Sequence, residues 1–313
     1  MKHISTLGMS RDEWLDKRPL SIGTSEISSI LGLNPYSSAT DVYRDKVEGI
    51  RFEGNALTEF GLYMEDACAN WFSAETGHKV QKDHKIRYYE HHNWLSTNLD
   101  RVVITPDGRS PLEIKTTKEV AQKNWDDEFP TWYQCQIQGQ MAITGWHHCY
   151  VVVFTHGYDI QYKRMEFNFD EGFWDSILPH LEYFWFENVL KEVPPEPTKD
   201  SDLKYLFPQA VELKEVDPSD DVTQAIKDLM SIKDELSQLQ KAKKNKEFSI
   251  RKHMGDGELM NDGSFVVTYK NSKGRSTFDK KRFGGDYPDI LKEYTSQGSG
   301  TRTLRIKEAP NNE

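Results

Sequence analysis

The sequence predicts an α/β core with a helical and small-β appendage behind it. Three features carry this reading. Apolar residues recur at helical spacing up to about residue 76, short β-branched or aromatic segments take over from 79, and the composition changes again beyond Val193-Pro194-Pro195-Glu196-Pro197. A chain of 313 residues suits one catalytic domain plus an appendage. The boundary is placed between 1–197 and 198–313.

Residues 1–19 form a polar leader with Trp14 as its large aromatic. Ile22 to Gly32 reads as a capped helix, with Thr24 or Ser25 as N-cap and Ile27, Ile30 and Leu31 as its apolar stripe. A second helix runs from Ala39 to about Val47. Residues 54–76 form a third, with Leu57, Phe60, Met64, Ala67, Cys68 and Trp71 as its stripe and Gly77 as C-cap. Segments near 79–89, 94–104 and 111–117 read as an antiparallel meander, with Thr105-Pro106-Asp107-Gly108 as a turn. A helix over about 131–144, the apolar strand Cys149–Phe154, a partner strand over 158–167 and an aromatic helix over about 170–190 complete the core. In the appendage, Val222, Ala225, Leu229, Ile232, Leu236 and Leu239 keep a heptad register in a helix over about 221–252. That helix turns basic toward its end, and a small α+β module spans about 258–308.

Hydrophobic residues make up 36% of the chain and charged residues 29%, the proportions of a soluble globular protein. No stretch reaches the roughly 18 apolar residues of a membrane span, and the N-terminus lacks the apolar segment of a signal peptide. A cytoplasmic location is expected. Cys68, Cys135 and Cys149 are odd in number and form no CxxC pair, which speaks against a zinc ribbon or iron–sulfur cluster and for buried, reduced thiols. The net charge of −10 argues against a protein that coats nucleic acid. It does not exclude a nuclease, which needs carboxylates for its metals and positive charge along its DNA track alone.

The informative stretch is Asn98-Leu99-Asp100 followed, after a hairpin, by Leu112-Glu113-Ile114-Lys115. Side chains alternate along a strand, so Glu113 and Lys115 share a face while Ile114 turns to the core. Antiparallel pairing through the 105–110 turn sets Asp100 beside Glu113. Two carboxylates with an adjacent ammonium suit phosphodiester hydrolysis. The carboxylates hold hard cations such as Mg²⁺, the cation polarises a phosphoryl oxygen, and the lysine orients water or neutralises developing charge. Taken alone, an E-x-K strand is a common pattern and reads as a solvated surface strand. Glu65, Ser25 and Arg18 also have bland readings, as a helix charge, an N-cap and a surface residue.

Four motifs in order narrow the choice: Arg18-Pro19-Leu20-Ser21-Ile22-Gly23-Thr24-Ser25-Glu26, Gly61-Leu62-Tyr63-Met64-Glu65, Asp100 with Glu113-Ile114-Lys115, and Gln136-Ile137-Gln138-Gly139-Gln140-Met141. Over about residues 11–165 the chain resembles the lambda-exonuclease/YqaJ viral recombinase family of PD-(D/E)XK nucleases. The resemblance implies a restriction-endonuclease-like core, a central mixed sheet flanked by helices. It implies that Asp100, Glu113 and the Ile114 carbonyl ligate Mg²⁺ (Mn²⁺ substituting), with two ions per site. Glu65 is then a further acid near the metals, Lys115 the catalytic lysine, and Gln136 a neighbour of the scissile phosphate. Gln138 is a candidate DNA contact. Arg18 and Ser25 match positions of a 5′-phosphate pocket, and Asn98 stands where a serine contributes to it in lambda exonuclease. Leu99 before Asp100 departs from the proline that names the superfamily.

The function so implied is Mg²⁺-dependent exonuclease digestion of linear double-stranded DNA, 5′ to 3′, leaving 3′ single strands for a single-strand annealing protein. The same resemblance implies a homo-oligomeric ring, trimer or tetramer, encoded by a phage or prophage and working in the bacterial cytoplasm. An endonuclease or flap nuclease is the alternative within the class. A catalytically silent DNA-end-binding scaffold is the alternative outside it. The appendage mixes Lys280, Lys281 and Arg282 with Phe278 and Phe283, a composition suited either to single-strand binding or to an ordinary solubilising surface.

Overall fold

The computed structural model describes residues 2–50, 54–89, 92–118, 129–158, 160–298, 300 and 302–307. The chain divides into two compact units, Met1–Phe207 and Pro208–Glu313. The first continues past the Pro-rich segment because Asp202 anchors the Asp200–Leu206 helix. Its buried carboxylate accepts hydrogen bonds from Ser38 Oγ at 2.7 Å and from the Thr198 and Lys199 N–H groups at 2.9 and 3.1 Å.

Among its described residues the first unit has nine strands: β1 (His3–Ser5), β2 (Ile22–Gly23), β3 (Lys79–Lys82), β4 (Lys85–Tyr89), β5 (His92–Thr97), β6 (Arg101–Thr105), β7 (Gly108–Lys118), β8 (His148–His156) and β9 (Gln161–Asn168). The central sheet has the order β3-β6-β7-β8-β9 and is mixed, with β7 and β8 parallel and the other pairs antiparallel. Helices cover both faces. Leu112, Ile114, Val152 and Phe154 meet Cys68, Ala69 and Phe72 of the Ala56–Thr76 helix on one side. Val151, Val153 and Cys149 meet Ile137 and Met141 of the Thr131–Thr144 helix on the other. Burial on both faces explains why Cys149–Phe154 is a continuous apolar run rather than an alternating one. The expected mixed sheet flanked by helices is therefore present.

The expected single meander is not. Segments 79–89 and 94–104 each break, and their halves belong to different sheets, the second having the order β1-β4-β5-β2. At the first break the Arg87 guanidinium draws in Asp83 at 2.8 and 2.9 Å. At the second, Asp100 turns its carboxylate onto a β7 amide instead of extending the strand. Two smaller expectations also shift. Thr24 is not an N-cap, because its hydroxyl bonds Thr97 Oγ1 at 2.8 Å. Gly23 occupies the cap, its N–H donating to Glu26 Oε2 at 2.8 Å. Phe72 rather than Trp71 fills the core beneath the third helix. Trp71 stacks on Tyr162, centroids 4.0 Å apart.

The Thr131–Thr144 helix sits hard against the segment after β2. A Cβ on Gly139 would stand 2.8 Å from both Ile27 Cδ1 and Thr24 Cγ2, closer than carbon atoms tolerate. Gly139→Ala should therefore cost about 1–3 kcal/mol through overpacking, read as a lowered urea midpoint at unchanged m-value. A midpoint equal to that of the unsubstituted chain would mean that this contact relaxes freely.

In the second unit the Asp220–Met254 helix runs for 35 residues, with Ser219 as its N-cap. Its heptad residues Val222, Ile232, Leu236 and Leu239 are exposed. A hairpin of β10 (Leu259–Asn261) and β11 (Val266–Thr268) and the short helices Lys280–Asp286 and Pro288–Glu293 follow. Among the described residues no helix is long and apolar enough to cross a membrane.

Candidate active site

Arg101 of β6 pairs with Leu112 of β7, so Asp100 stands opposite Glu113 at the end of the hairpin away from its turn. Asp100 Oδ2 accepts the Ile114 N–H at 2.8 Å, which fastens the carboxylate to the neighbouring strand. Strand alternation does the rest. The Ile114 side chain enters the apolar cluster under the Ala56–Thr76 helix, while Glu113 and Lys115 emerge beneath the Thr131–Thr144 helix. The Ile114 amide thus faces Asp100, and its side chain is core.

Glu113 is 2% exposed and accepts from three donors. Lys115 Nζ lies 2.6 Å from Oε1, Gln136 Nε2 donates to Oε1 at 2.7 Å, and Gln140 Nε2 donates to Oε2 at 2.6 Å. Lys115 also donates to Gln136 Oε1 at 2.9 Å and lies 4.7 Å from the Tyr133 ring centroid. Gln136 and Gln140 are four residues apart on one helix and so share a face. Gln140 Oε1 is buried without a hydrogen-bond partner.

Glu65 approaches from the opposite helix. Its Oε2 accepts from Arg101 Nη1 at 3.0 Å, while Arg101 Nη2 holds Asp66 at 2.8 Å. Burial raises the Glu65 pKa, Arg101 works against the shift, and Glu113 and Asp66 add to it. Burial also pushes Asp100 well above the usual carboxylate range, reinforced by Glu113 and Glu65. For Lys115, burial works against the charge, but Glu113 and Asp100 outweigh it and hold the ammonium above its ordinary pKa. The site concentrates negative charge, with Glu113 buried and Asp100 and Glu65 half-buried, balanced by one lysine and one arginine.

Among the described residues no three His, Cys, Asp or Glu side chains make a ready protein-only metal cage. The donor set nonetheless suits Mg²⁺. That ion is commonly held by one or two carboxylates, with waters and substrate phosphate completing its shell. Gln140 Oε1, an orphaned buried acceptor beside Glu113, is what a donor such as a metal-held water would satisfy.

A second cluster gathers the other expected residues. Arg18 Nη2 donates to Glu26 Oε1 at 3.3 Å, and its guanidinium lies 5.4 Å from the Trp14 ring centroid. Trp14 Nε1 in turn donates to Asn98 Oδ1 at 3.4 Å. Ser25 is exposed beside Glu26. Beneath them lies Lys46, its side chain 0% exposed, 2.7 Å from Glu26 Oε2 and donating to the Arg18 carbonyl at 3.0 Å.

Arg18 and Asn98 are thus joined through Trp14, and Asp100, Glu113, Lys115 and Gln136 meet in one cluster with Glu65 at its edge. Gln138 is the correction. It is 7% exposed, donates to the Asn168 carbonyl at 3.0 Å and accepts the Asp170 N–H at 2.9 Å, so its amide braces the chain after β9 and has no free face for DNA. Gln140 takes the place beside Gln136, and the i,i+4 spacing was the signal for it. Lys46 carried no such signal, reading as an ordinary charge near a helix end.

Residues 13–147 match the model of the YqaJ-like viral recombinase domain, a span holding every site residue named above. The protein YqaJ of Bacillus subtilis (strain 168) is 28% identical over 309 residues, covering 96% of this chain and 95% of its own length. Among solved structures, an alkaline exonuclease of Laribacter hongkongensis is 20% identical, with a TM-score of 0.47, over 62% of this chain and 95% of that one. A phage-related exonuclease from Haemophilus somnus 129PT is 15% identical, with a TM-score of 0.42, over 57% and 99%. Over residues 13–147 the first unit is accordingly similar to the YqaJ-like viral recombinase domain.

Proposed function

We propose that the chain is a metal-dependent exonuclease that digests linear double-stranded DNA from its ends, 5′ to 3′. The observation that carries this reading is the meeting of Asp100, Glu113 and Lys115 at one end of the β6–β7 hairpin.

In this reading Asp100 and Glu113, with the Ile114 carbonyl and Glu65 close by, hold Mg²⁺ or Mn²⁺, two ions per site. Such ions supply Lewis acidity at the phosphoryl oxygen and a water acidic enough to attack. The chain supplies the rest. Lys115, kept protonated by its two carboxylates, neutralises charge that develops on the phosphate. Gln136, bonded to both Lys115 and Glu113, fixes the lysine against the carboxylate. Arg18, Ser25 and Asn98 receive the 5′-phosphate of the strand being degraded. The product is a 3′ single strand, offered to an annealing protein. A ring of three or four copies would keep duplex threaded through successive cleavages.

End-labelled linear duplexes with 5′-phosphate or 5′-hydroxyl, beside a closed circle, test the reading. The expected result in Mg²⁺ is loss of the linear forms, an intact circle, and faster digestion from phosphate ends. Rapid nicking of circles would favour an endonuclease. Equal rates from both ends would remove the phosphate pocket. No cleavage at saturating Mg²⁺ or Mn²⁺ would leave an end-binding scaffold.

A further inference from the structure

Charge is distributed very unevenly along the chain. Residues 1–240 carry 24 Lys and Arg against 40 Asp and Glu, whereas 241–307 carry 16 against 8. All sixteen of those cations are exposed. The basic stretch starts in the last third of the Asp220–Met254 helix and continues through the hairpin and the two short helices.

Aromatic rings are interleaved with these cations and are exposed as well. Phe278 is 70% exposed, Tyr287 53% and Tyr294 80%. Phe278 and Tyr287 stand on a supported platform. Phe283, half-buried, lies 5.0 Å from the Phe278 centroid and 5.3 Å from that of Tyr287. The two short helices are pinned where Gly284 meets Leu291, with 2.7 Å left for a Cβ. Lys280, Lys281 and Arg282 rise from the first of them, which Asp279 caps.

We propose that this second unit binds single-stranded DNA, with Lys280, Lys281 and Arg282 on the phosphates and Phe278 and Tyr287 stacking on bases. Duplex DNA has its bases stacked on one another and would use the cations alone; exposed rings beside cations fit a strand with free base faces. A membrane surface would need a continuous apolar face opposite the charge, and here rings and cations alternate along one short segment. This binding is separate from the carboxylate site, so it stands or falls independently of the nuclease reading.

The test uses the full chain in EDTA, with fluorescence anisotropy on a labelled oligo(dT) of about 30 nucleotides, a blunt duplex of equal length and vesicles rich in phosphatidylserine. The triple variant Lys280→Gln/Lys281→Gln/Arg282→Gln should bind oligo(dT) at least about tenfold more weakly. Its log–log salt slope should be shallower by about 2, three phosphates at ~0.7 each. Phe278→Ala and Tyr287→Ala should each weaken oligo(dT) binding about tenfold while sparing the duplex and leaving the salt slope unchanged. The Lys280→Arg/Lys281→Arg variant should bind as the original chain does, which separates charge loss from misfolding. The proposal is overturned if the triple variant binds oligo(dT) undiminished, if the ring variants weaken both DNAs alike or neither, or if vesicles are bound in preference to oligo(dT).

Discussion

Asp100→Asn is expected to abolish cleavage while making the metal-free protein more stable at neutral pH. Asparagine keeps the volume and an oxygen for the Ile114 N–H, but it removes a half-buried charge that faces Glu113 and Glu65. Losing a ligand for the cation that polarises the phosphate should lower the rate by more than about 10³-fold. The stability gain follows from linkage. Burial and neighbouring carboxylates raise the folded-state pKa of Asp100 above its unfolded value. The folded state therefore binds more protons, and stability falls as pH rises from the ordinary Asp range through the raised folded value. Removing the charge should return about 0.5–2 kcal/mol at pH 7 in EDTA, with the difference shrinking near pH 4. Mg²⁺ should raise the melting temperature of the original chain more than that of the variant. A variant that still cleaves, or that is less stable than the original at pH 7, would place the metal elsewhere.

Lys46→Met is expected to have the largest effect on stability. Lys46 and Glu26 form a nearly buried pair, and removing one partner leaves the other charge with weak compensation, since Arg18 reaches Glu26 at 3.3 Å from a partly exposed position. Breaking such a pair costs about 3–5 kcal/mol. Lys46 also holds the Arg18 carbonyl, so the phosphate cluster should loosen with it. Denaturant unfolding reads the first effect. The ratio of digestion rates on 5′-phosphate and 5′-hydroxyl ends reads the second, and it should approach one. A destabilised variant with its end preference intact would confine Lys46 to the fold.

The centre of the site was legible because strand alternation and one hairpin register suffice to bring Asp100, Glu113 and Lys115 together. Local pattern did not reveal that 79–89 and 94–104 each cross from one sheet to another. Those breaks depend on long-range choices, such as Asp100 bonding a β7 amide, that leave hydrophobic spacing unchanged. The glutamine helix shows the same limit. Its period of 3.6 residues pairs Gln136 with Gln140, but which pair faces Glu113 is decided by Gly139 pressing on Thr24 and Ile27. Lys46 was invisible for a further reason. A lysine near the end of a short helix is ordinarily solvated, and its burial follows from a carboxylate twenty residues earlier.

The hairpin that carries the carboxylates ends at Pro106-Asp107-Gly108-Arg109, which is exposed. Five strand residues separate that tip from Asp100, about 20 Å at the usual rise. A dye or surface tether attached there would ride on the same two rods as Asp100 and Glu113, close enough to report by energy transfer on an acceptor placed at their end of the hairpin.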